Sequence, residues 1–188
     1  RSDPRYAPLG AGLCAGAPAS LEGATVWVDQ TGLWLAQNES TSTTTPVLID
    51  RLPADAVARS PLALHTGPGE PAIALALARP TTCELRFYRR SGELIDTVVV
   101  ATSRCTSPSG SGGYLMWPIG VGQEGGEESG QRGQLGWIDI FDRREVATIA
   151  MEGSPLTPAA AFGQEVANGG GSHWLVGTTR GLVAIKDP

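Results

Sequence analysis

Two segments near opposite ends of the chain share one plan: VWVDQTGLWL at residues 26–35 and WLVGTTRGLVAI at residues 174–185. Each is a Trp-bearing apolar run, a polar turn, then Gly-Leu and a second apolar run. Short runs rich in Val, Ile and Trp, bounded by turn residues, read as β-hairpins. In the first, Asp29-Gln30-Thr31-Gly32 is the turn, and Gly32 is expected to supply a positive φ. Residues 85–99 and 136–150 form a second pair: an aromatic-bearing apolar strand, a short Arg-bearing turn and a Val/Ile strand. Hairpins recurring at intervals of roughly 40–60 residues are the mark of radially repeated sheets.

Working outward, paired strands are expected at 24–29 and 32–37, at 71–78 and 84–90, at 113–118 and 134–141, and at 172–177 and 181–186. Outer strands are expected at 46–51, 93–100 and 144–150, with none for the fourth unit. The run Ala-Ile-Ala-Leu-Ala-Leu-Ala before Arg79 alternates small and large apolar residues, as on a strand packed on both faces. Ser91-Gly92 and Arg143-Arg144 read as tight turns, Ala54–Ala58 as a helical turn, and Pro118 as the stop of a strand begun at Tyr114. Residues 1–22 read as an irregular arm and 23–188 as the domain, with a mobile loop at 120–133 whose deletion should leave the fold intact. The fold class expected is all-β: propeller-like blades of antiparallel strands, about four of them or part of a larger propeller.

Composition agrees. A chain of 188 residues can bury a core without metal or disulfide help. The 25 Gly and 14 Pro demand many turns. A net charge of -5 argues against nucleic acid, since phosphate neutralisation needs a basic stripe. No apolar run reaches the length of a membrane helix. The chain begins at Arg1, which suggests a processed product or a fragment of a longer protein.

Trp137-Ile-Asp-Ile-Phe-Asp142, followed by Arg-Arg-Glu-Val-Ala-Thr-Ile149, resembles the last two strands of a WD40-type blade. Phe141-Asp142 stands where an aromatic–Asp pair closes the third strand of such a blade. Phe87-Tyr88-Arg89 is a looser match, and Gly181-Leu182-Val183 is of a kind that recurs in propellers. No Gly-His dipeptide and no strict Trp-Asp is present. The resemblance spans residues 24–186. It implies a β-propeller, a non-catalytic scaffold and complex subunit that presents blade loops to a protein partner. The fourth blade's outer strand would come from the N-terminal arm or from other segments of a larger propeller.

No catalytic constellation is legible. A Ser-His-Asp site needs His65 or His173, and no Gly-x-Ser-x-Gly elbow exists. Neither His has metal-ligand spacing with nearby acids. Asp29, Asp50, Asp139 and Asp142 fall on strands or their ends, where Asp commonly caps turns, although paired carboxylates for glycoside hydrolysis assemble in space. The glycine clusters at 110–113, 125–126 and 169–171 precede no helix and fit no phosphate cradle. The chain is read as no enzyme, without a cofactor or metal.

Binding candidates are Arg89, Arg90, Arg143 and Arg144, which place two arginines at each equivalent turn. They are either a basic rim for carboxylates or phosphates, or solvated turns. Of the five Trp (27, 34, 117, 137 and 174), most should be core, and an exposed one, with Trp117 as the candidate, makes a binding anchor. Cys83 and Cys105 flank the clearest hairpin and can form a disulfide, with Cys14 left over. Their uneven offset from the turn requires a bend. Asn38-Glu39-Ser40 is an N-glycosylation sequon. These hint at secretion and at a second function, a secreted carbohydrate-binding propeller or glycoside hydrolase. The Gly/Glu-rich loop and the WD40-like strand tilt the expectation toward an intracellular protein. A structural subdomain of a longer propeller is the third reading.

Overall fold

The computed structural model describes residues 16–37, 45–64, 70–100, 105–111, 114–119, 132–152, 160–162, 173–178 and 180–186. Every regular element among them is a β-strand. The strands form four antiparallel sheets, each built from one contiguous stretch of chain. The first sheet takes β1 (Ala19–Leu21), β2 (Ala24–Val28), β3 (Gly32–Gln37) and β4 (Val47–Arg51) in that order. In the second, β5 (Val57–Ala58) and β6 (Leu62–Ala63) share one edge of β7 (Ile73–Ala78). Then come β8 (Cys83–Tyr88) and β9 (Leu94–Val100). Pro61 stands between β5 and β6 and has no N–H to donate to a ladder, which accounts for the break. The third sheet is β10 (Ser109–Ser111), β11 (Tyr114–Ile119), β12 (Arg132–Asp139) and β13 (Arg144–Glu152). The fourth is β14 (Ala160–Phe162), β15 (His173–Thr178) and β16 (Gly181–Lys186).

Alternation makes the two middle sheets apolar on both sides. On β7, Ile73, Leu75 and Leu77 join Val26, Val28, Leu33 and Leu35 in a cluster between the first and second sheets. Ala74 and Ala76 point the other way. There the small side chains leave room for Leu85, Phe87, Leu115, Trp117 and Ile138, which fill the junction of the second and third sheets. Met116, Leu135 and Trp137 face the fourth sheet and pack on Trp174, Val176 and Ile185. Trp137 meets Trp174 edge to face, with ring centres 6.1 Å apart. The sheets therefore stack in chain order, one apolar cluster per junction.

Several expectations change. Ala19–Leu21 pairs with β2, so the arm contributes a strand to the first sheet rather than staying irregular throughout. Residues 54–58 make a turn closed by Ala56 N–H to the Pro53 carbonyl, then a strand, not a helical turn. β11 runs through Pro118 to Ile119. Its pairing with β10 ends at Met116, so beyond that point one edge of β11 has no described partner strand, a setting that tolerates proline. Arg132 and Gly133 belong to β12, opposite Glu152 and Met151, which shortens the expected loop 120–133. The rest of that loop, together with Cys14, Asn38 and His65, lies outside the described residues. Gly32 has no positive φ; it is required because a Cβ would run into the Asp50 carbonyl oxygen.

Candidate functional site

The turn from β12 to β13 carries the arrangement most suited to recognition. The strand ends at Asp139, opposite Arg144, so Ile140 to Arg143 form the loop. Phe141-Asp142 is therefore in the turn and not at the end of the third strand, unlike the aromatic–Asp pair of a WD40 blade. Asp139 organises the loop: its Oδ1 accepts the N–H groups of Phe141 (2.8 Å) and Asp142 (3.0 Å), and its carbonyl accepts Arg143 N–H (2.8 Å). Arg143 sits at φ 55°, in the left-handed region that side chains other than Gly, Asn and Asp rarely adopt. Its guanidinium holds it there, donating to the Phe141 carbonyl at 2.8 Å and to Asp96 of β9 at 3.2 Å. Phe141 is thus fixed at its backbone while its side chain stays 48% exposed. Arg144 beside it is exposed as well.

The other expected arginines are engaged in ion pairs. Arg89 pairs with Glu93 at 2.7 Å across its own turn. Arg90 approaches Glu22, between β1 and β2, at 3.8 Å. That turn is longer than two residues: Gly92 N–H bonds the Arg89 carbonyl and Arg89 N–H bonds Glu93, with Gly92 at φ 90°. The two Arg-bearing turns therefore do not form one free basic rim, since Arg89, Arg90 and Arg143 each have an acidic partner. Trp117 is not a surface anchor either. It is 1% exposed, inside the junction of the second and third sheets, because alternation along β11 turns it inward with Leu115.

A second polar cluster joins the first and second sheets. Arg86 of β8 donates to Asp50 of β4 at 2.7 Å and to Glu84 at 2.9 Å. Tyr88 donates its hydroxyl to the same Asp50 oxygen. Arg79 pairs with Glu84 and Asp55, each at 2.7 Å. Burial lowers the Arg86 pKa, but the bonds to Asp50 and Glu84 outweigh it and hold the guanidinium firmly charged. Burial first, then the bond and charge of Asp50, push the Tyr88 phenol far above its ordinary value. Asp50 and its partners are committed to one another, which suits anchoring and not proton transfer.

The acids expected as turn caps divide in two. Asp29 caps: its Oδ1 accepts Thr31 N–H (2.7 Å), the Thr31 hydroxyl (2.6 Å) and Gly32 N–H (3.1 Å). Thr178 repeats the device in the last hairpin, its hydroxyl accepting Arg180 N–H at 3.1 Å. Asp50 instead links sheets, as does Asp96. Both close a Leu-Ile-Asp triplet on an outer strand, at 48–50 and 94–96, and each receives an arginine from the following sheet. The triplet was visible in the sequence; its partners, 36 and 47 residues away, were not.

Cys83 and Cys105 are joined in a disulfide, with Cα atoms 5.5 Å apart. His173 opens β15. Among the described residues, no three or more His, Cys, Asp or Glu gather where they could hold a metal ion, and no helix is long and apolar enough to cross a membrane. No protein-family model and no curated protein matches this chain.

Proposed function

We propose that the chain is a non-catalytic interaction scaffold of the β-propeller type, whose turns meet a protein partner. The observation that carries the reading is the β12–β13 turn, with Phe141 and Arg144 both exposed on a backbone held by Asp139 and, through Arg143, by Asp96. An aromatic and an arginine on a pre-ordered loop are the composition of a binding hot spot. The serial stacking of four meandering sheets supports the propeller part of the reading. So does the approach of first strands to one another, β1 to β6 and β10 to β14. The three described strands of the fourth sheet suit a larger ring, or an outer strand from elsewhere in the protein.

The test is capture of partners from the source extract by immobilised protein, with F141A and R144E as controls. Both variants should keep the wild-type Tm and lose the captured protein. Undiminished capture by both removes this turn from the account.

Carbohydrate binding is the second reading, favoured by one feature. Trp27 and Trp34 stack with ring centres 6.4 Å apart and planes 9° apart, on the face of the first sheet opposite Val26 and Val28. Trp34 is only half-buried. Specific sugar binding on a glycan array, lost in W34A, would replace the scaffold reading.

A further inference from the structure

The path of the chain between the second and third sheets leads to a further inference, independent of the proposed scaffold. β9 is the outer strand of its sheet, and β10 is the first strand of the next. By Cys105 the chain has come back from that outer strand to β8. Val100, the last residue of β9, lies opposite Cys83, the first residue of β8. Cys105 follows five positions later and is bonded to that same Cys83. The uneven offset seen in the sequence is this return. Arg59 pins the same point from the other side, its Nε donating to the Cys105 carbonyl at 2.8 Å.

Both sulfurs belong to the apolar cluster with Leu85, Phe87, Leu115, Trp117 and Ile138; Cys83 is 0% and Cys105 4% exposed. A bonded pair of sulfurs occupies less space than two thiols in contact, and a close-packed junction has little room to give. Shielded this way, the disulfide meets no external thiol until the junction opens. We propose that Cys83–Cys105 is an oxidation-dependent clamp on this return of the chain, and that native packing of the second sheet on the third requires an oxidising folding compartment. Closure joins the two sulfurs and releases two protons and two electrons. The electrons reduce a disulfide oxidant, of the glutathione disulfide or exchange-protein class, which takes up the protons and leaves as two thiols. This departs from the intracellular expectation, because stable buried disulfides belong to oxidising compartments.

Two measurements test it. In protein from its native source, alkylated during lysis and digested without reductant, Cys83 and Cys105 should appear in one linked peptide pair. Both carrying the alkyl label overturns the proposal. The double variant C83S/C105S should lose on the order of 5–15 °C in Tm. Amides of Leu115 and Trp117 should exchange faster, while those of Val26 and Leu33 stay protected. If the double variant cannot be purified, the same exchange comparison is made between the oxidised wild-type chain and wild-type chain reduced with dithiothreitol in urea and returned to native buffer under reductant, with loss of the bond verified by mass. Equal exchange at Leu115 and Trp117 in the two states overturns the clamp.

Discussion

Arg143 concentrates the conflict between local backbone preference and longer-range interaction. Its left-handed φ of 55° costs on the order of 1 kcal/mol for a side chain other than Gly, and its bond to half-exposed Asp96 returns at most about as much. R143G should therefore be close to neutral. R143A keeps the strained backbone and loses the ion pair, so it should be less stable than R143G by about 1 kcal/mol, read from urea midpoints. Tyr88 allows a test at alkaline pH. Its folded-state pKa lies above the ordinary 10.0, so the folded form keeps the phenol proton that the unfolded chain gives up. Its contribution is fully present below pH 10 and is lost as pH rises beyond it. Y88F should flatten that loss and cost about 1–2 kcal/mol at neutral pH, through the bond removed from Asp50. Asp29 acts at the other end of the scale. Desolvation raises its pKa, but the bonds from Thr31 and Gly32 prevail and hold it below 3.8. Its stabilisation is present above that value and fades as pH falls through the folded-state pKa. D29N should remove this acid-side component from the pH–stability curve.

At the scale of elements, the turns show what glycine is required for. Gly92 combines φ 90° with the Ile49 side chain, whose Cβ would lie 2.8 Å from an added methyl group. G92A should thus cost more than the conformational penalty alone, on the order of 2 kcal/mol or more, measured by thermal melting. The paired and outer strands were legible in the sequence because apolar runs of about five residues stand between turn residues, with clear alternation at 72–78 and 84–90; β3 at Gly32–Gln37 has the bounds expected. Val57–Ala58 was not: two residues are too few to show any period, and the strand exists because β7 offers it an edge. The outer strands hide another feature. Pairing skips one residue in each, Ile49, Ile95 and Val146, and these bulges sharpen the twist; in the first two the skipped residue is the Ile of the Leu-Ile-Asp triplet. The candidate turn was half legible. Phe141, Arg143 and Arg144 stood out as residue types, whereas the exposure of Phe141 follows from where β12 ends, and the anchor of Arg143, Asp96, belongs to a neighbouring sheet. Trp117 was misplaced for the same reason: strand alternation sets its face, and only the third sheet's neighbours decide which face is covered.

At the scale of the molecule, three apolar clusters make a chain of junctions in which the middle sheets support both neighbours. Trp117 fills the central junction, so W117A should cost about 3–5 kcal/mol, the range for emptying a large aromatic site. Its effect should reach the protection of both the second and third sheets. Serial stacking is the claim on which the turn site, the ion pairs between sheets and the disulfide clamp all depend. It is tested most directly by nuclear Overhauser contacts from the buried indole rings. Serial stacking predicts contacts between the rings of Trp137 and Trp174, and from Trp117 to side chains of its own cluster such as Leu85 and Phe87. Absence of the Trp137–Trp174 contact, or contacts joining Trp117 to Val26 or Leu35 of the first sheet, would contradict it.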